Sequence, residues 1–220
     1  MDVMQAIEER HSVRSYTGKK IEGNKRQILD SLIQQCNAES GLHIQIRYDD
    51  PTAFDAALAH YGKFRNVENY LILAGKPRDD LEELCGYYGE RIVLEAQKLS
   101  LNTCWVALSF RKSAVKNLIP AGEKLIAVIA IGYGESRGTA HKSKSIDRVV
   151  SVKEVMPDWF WRGAEAALLA PTAINQQKFK IGLKDGKPWI FVSGIGPYTK
   201  IDLGIVKYHF EAASGHRVTK

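Results

Sequence analysis

Apolar residues recur three and four apart at Ile28, Leu29, Leu32, Ile33 and Cys36, the spacing of an amphipathic helix. Asn24, after Gly23, is its expected N-cap, and residues 37–41 are expected to break it. A wider stripe (Leu81, Leu84, Tyr88, Ile92, Val93, Ala96, Leu99) predicts a long helix from Asp79 to about Leu99. Such a width suits a helix lying across a domain or subunit interface. Shorter helices are expected over 2–9, with Val3, Met4 and Ile7 apolar, and over 113–118. Two more are expected from Asp158, as cap, to Leu169, and over 201–213 with Gly215 as C-cap.

Leu42 to Tyr48 alternates apolar and polar, which predicts a half-buried strand. Residues 70–75 and 124–132 are short apolar runs; the second is rich in β-branched residues and reads as a central strand. Residues 179–183 and 189–192 flank Lys184-Asp185-Gly186-Lys187, and Asp-Gly between such runs predicts a hairpin. Residues 52–69 read as irregular, with Gly62, Lys63 and Asn66 in a loop, and 152–156 as a linking turn.

The 220 residues suffice for a sizeable core, and 45% hydrophobic with 25% charged content is ordinary for a soluble globular chain. No apolar run approaches the roughly 20 residues of a membrane span. Met1-Asp2 and the acidic segment after it lack a basic-then-apolar leader pattern, so a cytoplasmic protein without membrane partners is expected. Cys36, Cys85 and Cys104, each among apolar neighbours, read as buried thiols in a reducing compartment, not as a disulfide framework or zinc site. The net charge of +6 suits an anionic ligand, but its cations are dispersed, and the densest run, 141–144, lacks interleaved aromatics. Nucleic acid is therefore not an expected partner. His43 falls on the polar side of its strand, Asp49-Asp50-Pro51 reads as a turn, and Gly132, Gly134 and Gly138 lack the dinucleotide-loop spacing.

The chemistry gathers at Arg10-His11-Ser12-Val13-Arg14, where two guanidiniums, an imidazole and a hydroxyl follow one another closely. Arg10 and Arg14 would share one side if the first helix continued. Guanidinium forks and hydroxyls suit phosphate oxygens; the alternative is a solvated helix end whose cations favour the terminal dipole.

The stretch from Ala6 to Tyr16 resembles the opening signature of the nitroreductase family, flavin enzymes that bind FMN. The resemblance implies that Arg10, His11, Ser12 and Arg14 hold the phosphate and edge of the flavin. A second similarity lies at Leu99-Ser100-Leu101-Asn102-Thr103-Cys104-Trp105, where the family has glycines in place of Ser100 and Asn102. The following Leu108-Ser109 matches a loop over one flavin face, with Ser109 at a family glycine. A third is Ala170-Pro171-Thr172-Ala173-Ile174-Asn175-Gln176-Gln177, similar to the family's Ala-Pro-Ser-x-x-Asn-x-Gln loop. It implies flavin contacts from Pro171, Thr172, Ala173, Asn175 and Gln177. Lys142 and Lys144, with Arg148 a weaker choice, match a basic segment that reaches the phosphate; Lys63, Asn66 and Asn69 are candidates for the pyrimidine edge.

The order of these motifs is unusual. Family members carry the Pro-Ser loop directly after the second helix, where this chain has only Asn37-Ala38-Glu39-Ser40-Gly41. The sequence also resembles itself: 27–48 parallels 163–183, and the Ile92-Val93 helix parallels the Ile205-Val206 helix, whose Asp202-Leu203-Gly204 resembles the family's Asp-x-Gly start. Ordinary members are dimers with FMN between subunits. The resemblance thus implies an α+β, nitroreductase-like fold with a mixed or antiparallel central sheet flanked by helices. It implies two pseudo-symmetric halves, 1–150 and 151–220, a monomer working as a pseudo-dimer, and a single composite FMN site. The implied activity passes reducing equivalents from NADH or NADPH to a small flat acceptor such as a nitroaromatic or quinone, with no catalytic side chain. The alternative is a flavin carrier without efficient turnover.

Overall fold

Four strands, β1 (His43–Arg47), β2 (Tyr70–Gly75), β3 (Asn102–Val106) and β4 (Lys124–Gly132), form an antiparallel sheet in the order β1-β2-β4-β3. The structure, a computed structural model, describes residues 1–55, 62–152 and 155–219. Residues 56–61 of the expected 52–69 loop and 153–154 of the expected linking turn lie outside the described residues. Packing divides the chain into two units, one of residues 9–81 and 92–140, the other of 1–8, 82–91 and 141–220. The units interleave along the sequence.

The first unit contains the sheet. Both neighbours of β4 hydrogen-bond to it, as its apolar run requires, and the core gathers Tyr16, Phe54, Phe64, Tyr70, Phe110 and Val128. The helix α2 (Gly23–Ser40) lies against β1. It starts earlier than expected, with Glu22 extended before it and Asn24 inside it. It also runs through the expected break. Ser40 Oγ donates to the Cys36 carbonyl at 2.6 Å, and the Asn37 amide exchanges two 2.8 Å hydrogen bonds with the Ile44 backbone. Gly41 then ends the helix in a left-handed turn at φ 70°. Strand β3 was not evident from its mixed sequence, whereas its pairing with β4 runs from Asn102 opposite Gly132 to Val106 opposite Val128.

The long stripe becomes α3 (Leu81–Lys98), whose residues 82–91 belong to the second unit and 92–98 to the first. A short helix, α4 (Lys112–Lys116), completes the first unit. The second contains α5 (Asp158–Leu168), the hairpin β5 (Phe179–Lys184) and β6 (Lys187–Val192), and α6 (Thr199–Ser214). Pro157, not Asp158, is the N-cap of α5; Asp158 sits in its first turn. The hairpin turns on Asp185 and Gly186, both left-handed at φ 52° and 69°, as a two-residue loop of this kind demands. Gly86 of α3 and Gly204 of α6 let the two helices meet backbone to backbone, since a Cβ at either would run into a carbonyl of the other helix. The three cysteines are buried free thiols, and burial pushes Cys85 up to about 12. No helix among the described residues is long and apolar enough to cross a membrane.

Candidate functional site

The signature does not continue the first helix. The helix α1 (Val3–Glu9) stops before Arg10, and the chain runs on extended because other strands claim its backbone. Val13 N–H donates to the Thr103 carbonyl at 3.0 Å, Tyr16 N–H to the Arg65 carbonyl at 3.1 Å, and Arg65 N–H to the Arg14 carbonyl at 2.9 Å. The helical alignment of Arg10 with Arg14 is therefore corrected to an extended segment. Its apolar members Val13 and Tyr16 anchor it in the core.

The chemistry still converges. Arg10 is only 4% exposed, while Arg14 is exposed, its guanidinium 6.0 Å from the centre of the Phe64 ring. Burial pushes the Cys104 thiol up; the Arg14 charge, the Ser12 hydroxyl and the Arg10 charge pull it the other way. Arg10, Ser12 and Arg14 thus all act on one sulfur of β3, Ser12 through a hydrogen bond and the arginines through their charge. His11 is half-buried beside Gly138, whose left-handed backbone (φ 76°) lets 138 approach closely; a Cβ there would crowd His11.

The replaced glycines are accommodated in two ways. Ser100 keeps a left-handed backbone at φ 59°, which glycine would adopt at no steric cost. Asn102 uses its side chain instead, accepting the Gly134 N–H at 3.1 Å where β4 ends. Leu108 is exposed and Ser109 half-buried in the bend that follows β3. Of the pyrimidine-edge candidates, Asn66 donates to the Tyr16 carbonyl at 3.1 Å and buried Asn69 accepts the Asp49 N–H at 3.1 Å, so both hold backbone. Lys63 is exposed.

In the second unit the other predicted residues form one laced loop. Asn175 Nδ2 and Gln177 Nε2 both donate to the Lys142 carbonyl, at 2.9 and 3.0 Å, and Gln177 Nε2 also donates to Asn175 Oδ1 at 2.7 Å. Lys144 N–H donates to Gln177 Oε1 at 2.8 Å. The Lys144 ammonium donates to the carbonyls of Gln176 and Gln177, at 2.9 and 2.8 Å. Thr172 Oγ1 accepts the Gln177 N–H at 3.0 Å. Gln177 is buried, Asn175 exposed, and Pro171, Thr172 and Ala173 half-buried. The Lys142 side chain lies in solvent, whereas Lys144 is spent on the loop; Arg148 is exposed.

Ile174, Asn175 and Gln177 are all left-handed, at φ 47°, 55° and 45°, and Ile174 is 87% exposed. Sequence reasoning gave Asp202 no role here, although it accepts the Ala173 N–H at 2.9 Å and Gln176 Nε2 at 2.7 Å. An acidic residue in the first turn of a helix was the available signal.

A family model described as "Putative TM nitroreductase" matches residues 2–214. The chain belongs to this nitroreductase family. The solved structures similar to this chain include a "putative nitroreductase" from Thermotoga maritima, with a TM-score of 0.69 at 23% identity, over 97% of this chain and 83% of that one. A "putative nitroreductase" in complex with FMN from Desulfovibrio desulfuricans gives 0.53 at 19% identity, over 70% of this chain and 98% of its own. An "FMN-dependent Nitroreductase" from Clostridium difficile gives 0.52 at 15%, over 63% and 91%. At these identities the likeness is one of fold. No curated protein matches the sequence. The α+β, nitroreductase-like fold is thus established, its four-stranded sheet antiparallel throughout.

Proposed function

We propose that this nitroreductase is an FMN-dependent oxidoreductase, using NADH or NADPH to reduce a small flat acceptor such as a nitroaromatic or quinone. The observation that carries this reading is the donor set of the 10–14 segment: two guanidiniums and a hydroxyl on one extended stretch, one guanidinium buried and one exposed. That chemistry fits a phosphate monoester, which planar guanidinium forks bind with two parallel hydrogen bonds. Arg10, Ser12 and Arg14 would hold the phosphate, with His11 beside them. Asn175 would bond the ring, oriented by Gln177, while Lys142 adds positive charge. Leu108 and Ser109 would lie over a ring face. Bound FMN supplies the electron transfer; the side chains bind and orient it, and a donor fixed at the ring edge favours negative charge there.

The same reading takes one FMN per chain, with 1–150 and 151–220 as pseudo-symmetric halves of a functional monomer. Two facts support it. Each motif occurs once, in the displaced order. The two FMN-associated neighbours named above also fit nearly their whole length onto only 63–70% of this chain, as expected if it carries more than one ordinary subunit. The test is direct: purified protein loaded with FMN should oxidise NADH or NADPH when menadione or a nitroaromatic is added. FMN binding without turnover would favour the carrier instead, and no FMN binding would refute both.

A further inference from the structure

We infer that Asp202 is the positioning residue of the 172–177 loop, its carboxylate at the start of α6 latching the backbone that presents Asn175. What the loop is presented to rests on the FMN reading above; the latch itself does not. The loop needs a restraint. Ile174, Asn175 and Gln177 hold left-handed conformations that non-glycine residues adopt only when their surroundings enforce them, and Ile174 is β-branched and solvent-exposed. Its own side chain therefore cannot supply the enforcement.

Asp202 can. It is buried, and each of its oxygens faces a donor: Oδ1 the Ala173 N–H at 2.9 Å, Oδ2 the Gln176 Nε2 at 2.7 Å. These two bonds bracket Ile174 and Asn175. Gln176 Nε2 spends its other hydrogen on the Pro197 carbonyl at 2.8 Å, so its amide orientation is fixed by two acceptors. Its Oε1 is left buried without a hydrogen bond among the described residues, a cost that turning the amide over would only increase.

The latch depends on ionisation. Burial pushes the Asp202 carboxyl up to about 6, and the Ala173 N–H and the Gln176 amide oppose that shift. These two bonds lower the carboxyl against its burial, so a proton on either oxygen favours releasing the loop while the carboxyl itself stays buried. The loop should be held above about pH 6 and slackened below, the opposite sign to global unfolding, which exposes the carboxyl.

The experiment measures hydrogen exchange at the Ala173 amide in the protein without flavin, as a protection factor so that intrinsic pH effects cancel. Between pH 7.5 and 5 the wild type should lose about tenfold or more, the worth of a hydrogen bond to a charged acceptor. Asp202→Asn, which keeps the shape without the charge, should give a lower, pH-independent value. Equal protection at both pH values, or in both proteins, overturns the latch. FMN titration is the second reading: Asp202→Asn should weaken binding about tenfold and shift the visible spectrum of the bound flavin. If the wild type binds no FMN while exchange behaves as stated, the latch stands and the FMN reading falls. If FMN binds equally to both proteins and exchange is flat, the latch alone falls.

Discussion

The carboxylate of Glu90 on α3 and the imidazole of His209 on α6 meet at 2.8 Å with neither side chain touching solvent. The other ring nitrogen of His209 lies 3.0 Å from the Ala166 carbonyl, which can only accept, so Nδ1 carries a hydrogen. This chain of hydrogen bonds ties α3, α5 and α6 together inside the second unit. Breaking it should leave a buried polar group uncompensated. His209→Leu or Glu90→Leu is expected to cost about 3–5 kcal/mol in chemical denaturation. Glu90→Gln, whose amide can donate to a neutral ring, should cost about 1 kcal/mol. Equal losses for Gln and Leu would remove the hydrogen bond from the account.

Ser100 offers a gain in stability. Its left-handed backbone costs a non-glycine residue about 1–2 kcal/mol, against about 0.5–1 kcal/mol of chain entropy that glycine loses on folding. Ser100→Gly should therefore stabilise by about 0.5 kcal/mol, seen as a higher denaturation midpoint with an unchanged slope. A lower midpoint would show that the hydroxyl has a use not accounted for.

The two signature arginines should separate binding from folding. Arg14 is exposed, so Arg14→Ala should leave stability within about 0.5 kcal/mol and yet weaken FMN about tenfold or more through the lost charge-assisted bond. Arg10 is buried, so Arg10→Ala should release FMN and also lower the melting temperature. Full FMN retention by either variant would remove that residue from the phosphate site.

Asp202 makes stability depend on pH in a definite direction. Its carboxyl titrates near 6 in the fold against an ordinary 3.8, so the folded chain binds the proton more tightly. Its contribution is fully present below pH 3.8 and lost as pH rises to about 6. The difference in unfolding free energy between wild type and Asp202→Asn should change across that window and be flat above it. A difference that changes only above pH 7 would contradict the assignment.

Much of the fold was legible because single patterns decided it. The apolar run 124–132 could only be a buried strand, and Asp185-Gly186 could only turn a hairpin. What misled were polar residues whose side chains find partners that let a helix continue. Asn37 and Ser40 look like breakers but bond to Ile44 and Cys36, so α2 continues over them. Strand β3 owes its existence to β4, not to its own sequence. The site residues were found through resemblance, while their division of labour was not. Gln177 and Lys144 hold the loop together, and Asp202 holds it from α6, because partners that meet only through folding leave no local pattern.

Titration of the purified, flavin-free protein with FMN, followed by flavin fluorescence quenching, addresses the central proposal most directly. Saturation at one FMN per chain is the result predicted, since each motif occurs once. Saturation at two per chain, or no saturable binding, would contradict it.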